Sequence, residues 1–333
     1  MRLRVENNSV EGVHRFLAKS LKSGLKKNGF EFKSMINNEL GAFTINSYEF
    51  DKGFTYHMIH GDISKVLELE FNENNNNFLR FFFVKKGELI HKISPAIRYR
   101  LAENYSCMVA TKNTEQQLFT FPVQNDIEIY FLQINTQNFS IDLKSDFFQL
   151  PQEIGSVFKN EKMDSHFVYQ SLYTLEISET INELSDPDKE GIVKRFFIES
   201  KALELLWLQT EQYKKETSKG YNFKILKKHD IAIIKKAKSF IHENLNEPLT
   251  LKVVAHAVGT NETKLKIGFK TLIGKNFSEI LRHERMNKAK ALLEVGELNI
   301  KEISHSCGYK SHSMFTKRFK ERFGVNPMHY NLT

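Results

Sequence analysis

The spacing of apolar residues changes along this 333-residue chain, and these changes divide it into segments. Helical spacing runs from Val10 to Leu25. Between residues 41 and about 139, the apolar residues instead form short runs rich in aromatic and β-branched side chains, such as Phe78–Val84, with polar clusters such as 72–77 between them. Many short strands with such turns predict a β-barrel or a β-sandwich.

Helical spacing returns from about residue 164 to 218, with a break near 186–188. The second part of this region has an apolar face made of Ile192, Phe196, Ile198, Leu203, Leu206 and Trp207. Such a face is too wide for one lone surface helix. Residues 216–224 are polar and contain a glycine, which predicts a linker and a domain boundary.

After the linker, the chain predicts short helices with explicit capping residues. Asn276 with Glu279, and Asn299 with Glu302, each place a capping side chain three residues before a carboxylate. Glycine or proline follows several of the helices and ends them. The predicted helices cover residues 230–244, 250–258, 261–274, 276–295, 299–308 and 311–324, and a last short turn opens at 326–327.

Two of these helix pairs share one design. Each has an apolar first helix, a tight turn at a glycine (Gly259 or Gly308), and a second helix with apolar residues on one side only. One such pair is a weak signal, but two copies about 50 residues apart are a strong one. The helix that joins them, 276–295, would be about 30 Å long. This length is close to the roughly 34 Å between successive major-groove faces of DNA.

The outward faces of the two second helices are free for recognition, since spacings of three and four keep each set of side chains on one side. On the first helix these side chains are Thr263, Lys266, Ile267 and Lys270. On the second helix they are His312, Ser313, Thr316, Lys317 and Lys320.

Charge separates the last third of the chain from the rest. Residues 224–333 contain 21 Lys and Arg against 10 Asp and Glu, a net charge of +11. The first 223 residues contain 27 basic and 30 acidic side chains, a net charge of −3. The excess positive charge therefore lies with the two helix pairs, as the neutralisation of nucleic-acid phosphates requires. A solvated basic face without a partner is the alternative, and charge alone leaves both open.

The composition is typical of a soluble globular protein, with 41% hydrophobic and 26% charged residues. We find no apolar run of about 18 residues and no signal peptide, so we expect no membrane span and a cytoplasmic location. The two cysteines, Cys107 and Cys307, exclude a disulfide framework and disfavour a zinc site built from clustered thiolates. We expect Cys107 to be a buried core thiol rather than a redox sensor.

Residues 230–330 resemble the DNA-binding domain of the AraC/XylS family. The matching stretches are Ala255-x-x-x-Gly259, Leu265–Lys270, Arg285-Met-x-x-Ala-x-x-Leu-Leu293, Ile300-x-x-Ile303, Gly308-Tyr-x-Ser311 and Phe315-x-x-x-Phe319-Lys-x-x-Phe323-Gly-x-x-Pro327-x-x-Tyr330. The resemblance covers about a third of the chain, and the last pattern is highly specific. It implies a transcription regulator, usually an activator and usually dimeric, that contacts promoter DNA and RNA polymerase.

The resemblance also implies roles for individual positions. Base contacts are implied for Thr263, Lys266 and Ile267 on the first recognition helix, and for His312, Ser313, Thr316 and Lys317 on the second. Phosphate contacts are implied for Lys270, Arg318 and Lys320. A segment around Val258–Lys270 is similar to regulators of iron-siderophore uptake, which suggests an effector related to iron and siderophores.

For the N-terminal domain, the resemblance implies a cupin-like β-barrel that senses a small effector, followed by helices that dimerise. We therefore predict an α+β chain of two domains. Residues 1–220 hold the barrel at about 41–139 and the helices at about 164–215, and residues 221–333 form an all-α double helix-turn-helix domain.

Two other functions remain alternatives. A sequence-independent architectural protein would bind DNA with little preference between duplexes. A metal-binding cupin enzyme with a DNA-binding domain is less favoured: His57, His60 and His91 are candidate ligands, but the lining carboxylate of a catalytic cupin is not evident. No Gly-rich phosphate loop or Ser-His-Asp pattern stands out either. We therefore predict no enzyme activity, no catalytic residues, no cofactor and no bound metal.

Overall fold

The computed structural model describes the chain except residues 7–8, 73–77, 95–96, 112–115, 140–151, 159–165, 186–187, 219–227, 274 and 333. The chain divides into two compact units, Met1–Tyr221 and Asn222–Thr333. Within the described residues, no helix is both long and apolar enough to cross a membrane.

The N-terminal unit contains two β-sheets. Its strands are Arg2–Val5 (β1), Gly24–Asn28 (β2), Glu31–Asn38 (β3), Gly41–Glu49 (β4), Phe54–Ile63 (β5), Leu67–Asn72 (β6), Phe78–Lys86 (β7), Glu88–Lys92 (β8), Arg98–Ala102 (β9), Tyr105–Ala110 (β10), Gln116–Phe121 (β11), Gln124–Asn135 (β12) and Phe167–Leu172 (β13). Eight strands form an antiparallel sheet in the order β13-β10-β7-β12-β5-β4-β3-β2. Five form the order β1-β6-β11-β8-β9, in which only β1 and β6 pair in parallel.

Helices cover both sides of this arrangement. They are Val10–Leu21 (α1), Thr136–Phe139 (α2), Gln152–Phe158 (α3), Leu175–Ser185 (α4) and Gly191–Thr217 (α5), with a 3-10 turn at Asp51–Gly53. One apolar cluster joins the eight-stranded sheet to α3, α4 and α5, and a second joins that sheet to the five-stranded sheet and α1. On β7, Phe81 and Phe83 belong to the first cluster, while Phe82 and Val84 belong to the second. Because successive strand residues point to opposite faces, a strand buried on both faces is apolar throughout.

Three sequence predictions for this unit were wrong in detail. The first helix ends at Leu21, because Lys22 turns the chain in the left-handed conformation at φ +49°, and Leu25 lies in β2 instead. Strands β1 to β3 precede the expected start of the sheet at residue 41. The region from 164, which was expected to be helical, begins with β13, which pairs with β10.

The C-terminal unit is helical, as predicted. Its helices are Lys228–Glu243 (α6), Leu251–Ala257 (α7), Glu262–Leu272 (α8), Phe277–Val295 (α9), Ile300–Ser306 (α10) and His312–Phe323 (α11), followed by a 3-10 turn at Pro327–Leu332. Both predicted capping boxes are present, at Asn276 with Glu279 and at Asn299 with Glu302. The predicted break near 186–188 and most of the predicted linker lie outside the described residues.

Candidate nucleic-acid interface

Each of the two outward helices begins at a cap that the sequence specifies. The Asn261 side chain accepts a hydrogen bond from the Lys264 amide at 2.8 Å and so starts α8. The Ser311 hydroxyl accepts one from the Met314 amide at 3.3 Å and starts α11. Both caps satisfy an amide that the first helical turn leaves without a partner, which fixes where each helix begins.

The glycine turns before these helices are required by backbone geometry. Gly259 and Gly308 have φ values of +70° and +73°, which side chains with a Cβ rarely adopt. At Gly308 there is a second constraint: a Cβ would lie 2.3 Å from the Leu245 carbonyl oxygen and 2.6 Å from Arg285 Nη2. The second turn therefore accepts only glycine.

Arg285 links the two helix pairs through α9. Its Nε donates to the Leu245 carbonyl at 3.0 Å and its Nη2 to the Glu247 carbonyl at 2.9 Å, both in the segment that leads into α7. Its guanidinium also lies 5.6 Å from the ring centre of Tyr309, which is in the turn of the second pair. One side chain therefore holds the joining helix against the segment before the first pair and against the turn of the second, so it helps to fix the separation of α8 and α11.

The apolar side of α8 is buried and its opposite side is exposed. Leu265 and Phe269 are 0% exposed. The predicted base-contacting residues lie on the other side, where Thr263 and Lys266 are exposed and Ile267 is half-buried. Lys270, predicted to contact phosphate, is exposed at the end of the same side.

Helix α11 has the same division. Phe315 and Phe319 are 0% exposed, while His312, Ser313 and Lys317 are exposed on the outer side. Lys320 is exposed on this side too. The structure therefore brings most of the predicted recognition residues to one free surface on each helix.

Two predicted residues on α11 are less accessible. Thr316 is half-buried, and its hydroxyl oxygen is covered and has no hydrogen-bond partner within the described residues. A base contact by this hydroxyl requires a change of rotamer. Arg318 is half-buried and donates to Glu321 at 2.7 Å, so a phosphate would compete with that carboxylate for the guanidinium.

A cationic cleft lies between the two outward helices and α9. It is lined by Lys270 from α8, Lys275 before α9, Glu279, Arg282, His283 and Met286 from α9, and Arg318, Glu321 and Arg322 from α11. Five of these side chains are Lys or Arg, and two are carboxylates. Both carboxylates are already engaged, Glu279 with the amide of the α9 cap and Glu321 with Arg318. The cleft is therefore a positive surface bordered by both outward helices.

Comparisons with known proteins match part of this chain. A family model described as a helix-turn-helix domain matches residues 254–332. An uncharacterized HTH-type transcriptional regulator, YfiF of Bacillus subtilis, is 35% identical over 99 residues, which are 29% of this chain and 30% of that protein. The xylose operon regulatory protein of Escherichia coli K12 is 32% identical over 101 residues, 30% of this chain and 26% of that protein. The match thus spans less than a third of the length of either relative.

Among solved structures, a transcriptional regulator with an AraC-type DNA-binding domain from Chromobacterium violaceum is 25% identical, with a TM-score of 0.30. The similarity covers 32% of this chain and 95% of that one. All the motif stretches quoted above lie within or next to the family match. The C-terminal unit contains a helix-turn-helix domain, and it is similar to AraC-type DNA-binding domains.

Sequence reasoning missed three features of this helix-turn-helix domain. Arg282 and Arg322 were not assigned a role, although they line the cleft with the two predicted phosphate contacts Lys270 and Arg318. Met314 is 46% exposed in the first turn of α11, beside the predicted base contacts. The contacts by which Arg285 holds α9 were not predicted, and Arg285 was noted only as a position of the motif. The charge of residues 282, 318 and 322 was available in the sequence, but their convergence depends on how three helices pack.

The N-terminal unit contains a cavity of about 80 Å³ between its two sheets and α1. The walls are mostly aliphatic and aromatic, with Phe82, Leu89 and Phe119 among them. A polar wall is formed by His14, Ser47, His57, Arg80 and Gln133. Small-molecule sites commonly have this character, an apolar enclosure with a few polar groups that fix orientation.

The polar wall is organised by hydrogen bonds. The Ser47 hydroxyl lies 2.8 Å from His14 Nε2 and 2.7 Å from His57 Nδ1 and so bridges the two rings. Burial lowers the pKa of His14 to about 4 and that of His57 to about 3, so both imidazoles are neutral at pH 7. Arg80 Nε donates to the Gln133 side-chain oxygen at 2.8 Å. The wall therefore presents a guanidinium beside neutral donors and acceptors.

The three histidines considered as metal ligands do not converge. His57 and His60 are three residues apart on β5, which places them on opposite faces, and His91 lies on β8 of the other sheet. His91 is 0% exposed and bonds Gln117 at 2.8 Å. In the part of the chain that the structure describes, no three His, Cys, Asp or Glu side chains are grouped so that they could hold a metal ion.

Both cysteines are buried. Burial raises the pKa of Cys107 to about 12 and that of Cys307 to about 11, so both thiols stay protonated at neutral pH. The expectation that Cys107 is a core thiol agrees with this environment.

Proposed function

We propose that this chain is a sequence-specific DNA-binding transcription regulator, and that it activates transcription under the control of a small effector. The observation that carries the proposal is the pair of capped helices, α8 and α11, whose polar faces are exposed at both ends of one joining helix. Thr263, Lys266 and Ile267 on α8 would contact bases in one major groove. His312, Ser313, Thr316 and Lys317 on α11 would contact bases in the next, while Lys270, Arg318 and Lys320 hold phosphates.

Selection of duplexes from a random library with the full-length protein at physiological salt tests this function. A regulator enriches a motif with two sub-sites about one helical turn apart and prefers it to other DNA by about 10³-fold or more. Binding with the same affinity to all duplexes would instead identify an architectural protein, and no binding to any duplex would refute a DNA function.

We further propose that the cavity of the N-terminal unit, in a cupin-like barrel, is the effector site. Its volume of about 80 Å³ supports a small ligand. Equilibrium dialysis of the full-length protein against a metabolite extract, followed by mass spectrometry, identifies what it retains. A retained compound that leaves operator affinity and transcription unchanged would contradict the effector role.

A homodimer through α5 belongs to the same proposal. The predicted apolar face of this helix is in fact two faces, because Ile198 is 1% exposed whereas Phe196 and Trp207 are 64% and 59% exposed. The exposed set consists of Ile192, Val193, Phe196, Leu203 and Trp207. Large apolar side chains that adjoin one another on a surface are typical of protein–protein contacts. Two such proteins would place four recognition helices on the promoter, beside RNA polymerase.

A further inference from the structure

The cationic cleft between α8, α9 and α11 has no role in base recognition as proposed above. The cleft nonetheless adjoins both recognition helices, since Lys270 belongs to α8 and Arg318 belongs to α11. The remaining cations, Lys275, Arg282 and Arg322, come from the start of α9 and the end of α11. DNA that engages both recognition helices must cross the space between them.

We propose that this cleft is a third DNA contact, which binds the backbone phosphates between the two major-groove sub-sites. The inference rests on the proposed DNA-binding function and assigns Arg282 and Arg322 to it. Arg282 is exposed and forms no hydrogen bond or ion pair with any described residue. Arg322 Nη2 lies 3.1 Å from His283 Nε2, and among the described residues no carboxylate pairs with Arg322.

The chemistry fits phosphate better than a carboxylate-rich protein segment. Successive phosphates of one strand form a regular row of single negative charges, and guanidinium groups bind them with paired N–H donors. The cleft carries five cations on three helices, and its two carboxylates are occupied by the α9 cap and by Arg318. A contact here would bind any sequence, so it contributes affinity and holds the duplex in register without reading bases.

The test uses the full-length protein and the operator duplex that it selects. The wild type, the pair Arg282→Gln with Arg322→Gln, and a control pair Lys236→Gln with Lys290→Gln are compared. The control removes two positive charges from the same unit outside the cleft. Each is titrated with the natural duplex across a range of salt, and with a duplex whose phosphates between the sub-sites are neutral methylphosphonates.

We expect the cleft pair to bind the natural duplex about 10- to 100-fold more weakly, with unchanged base preference. The slope of log affinity against log salt should fall by about 2, close to 0.9 for each phosphate lost. Neutral central phosphates should weaken the wild type and the control pair, and should weaken the cleft pair much less, since only three of its five cleft cations remain. Thermal melting of each variant confirms that these changes leave the fold intact.

Three outcomes separate the possibilities. If the wild type selects no operator, the DNA-binding function itself is wrong. If the wild type binds its operator and the cleft pair responds to neutral central phosphates as the wild type does, only the third contact is wrong. If operator affinity is unchanged in the cleft pair while transcription falls, the cleft contacts the transcription machinery instead, and the phosphate assignment is again overturned.

Discussion

Lys317 and Lys320 are exposed one turn apart on α11, yet their positions differ in what they can reach. Lys317 lies nearer the capped start of the helix, beside His312 and Ser313, where a recognition helix meets base edges. We predict that Lys317→Ala relaxes preference at particular base pairs by about 1–3 kcal/mol, whereas Lys320→Ala weakens all duplexes equally. Binding of both variants to every single-base variant of the operator distinguishes the two. A uniform loss for both would mean that neither lysine reads bases.

The buried imidazoles of the N-terminal unit should make its stability depend on pH. Burial lowers the pKa of His14 to about 4 and of His57 and His91 to about 3, below the value of about 6.5 in the unfolded chain. The unfolded chain therefore takes up protons first as pH falls. Stability is full above about pH 6.5 and decreases toward pH 4, by up to about 3 kcal/mol for His14 alone.

Urea unfolding between pH 4.5 and 7.5 measures this dependence. His14→Gln should flatten the decrease, while His256→Gln, a change at an exposed histidine of α7, should leave it as in the wild type. An unchanged slope in His14→Gln would show that this imidazole is not the source.

At the scale of elements, α9 sets the distance between the two recognition helices only if its position against both helix pairs is held. Arg285 holds it through two carbonyls, at 3.0 and 2.9 Å, from the segment before α7. Lysine cannot reach both carbonyls with one planar group. We therefore predict that Arg285→Lys costs about 1–3 kcal/mol of stability and broadens the range of sub-site spacings that are bound.

Affinity for operators lengthened or shortened by one base pair between the sub-sites measures that range. Lys290→Gln, on the same helix but outside the cleft, should keep the wild-type profile. If Arg285→Lys binds the same range of spacings as the wild type, even with lower stability, Arg285 stabilises the fold without setting the spacing.

Helix α5 is the element expected to join two copies. Ile192, Phe196, Leu203 and Trp207 fall within an arc of roughly 60°, at 3.6 residues per turn, opposite the side that packs on α4. We predict that Trp207→Gln weakens the dimer by at least tenfold, since aromatic residues dominate such contacts. Sedimentation equilibrium provides the measurement, with Lys215→Gln, outside the arc, as the control. A monomeric wild type would exclude this interface.

Across the whole molecule, the two units differed in how far the sequence predicted them. In the C-terminal unit, the residues that determine where helices begin and end are close together in the chain. Asn276 and Glu279 form a capping box three residues apart, and the positive φ of Gly308 makes the turn at that residue. Helix positions were therefore predicted closely. In the N-terminal unit, β13 pairs with β10 across 57 to 67 residues. No short-range sequence pattern predicts such a pairing. The charged side chains of the cleft and the walls of the cavity likewise come together only through contacts between elements that are distant in the chain.

If the cavity is the effector site, a side chain that fills it should prevent the ligand from binding and so remove effector control. Leu69 lines the cavity, and Leu69→Phe would occupy part of its volume of about 80 Å³ at a cost of about 1–3 kcal/mol. Leu69→Met nearly conserves volume and is the matched control. A metabolite retained by the wild type and by Leu69→Met should be lost from Leu69→Phe, and only the first two should change operator affinity when it is added. Retention of the metabolite by Leu69→Phe would place the effector outside this cavity.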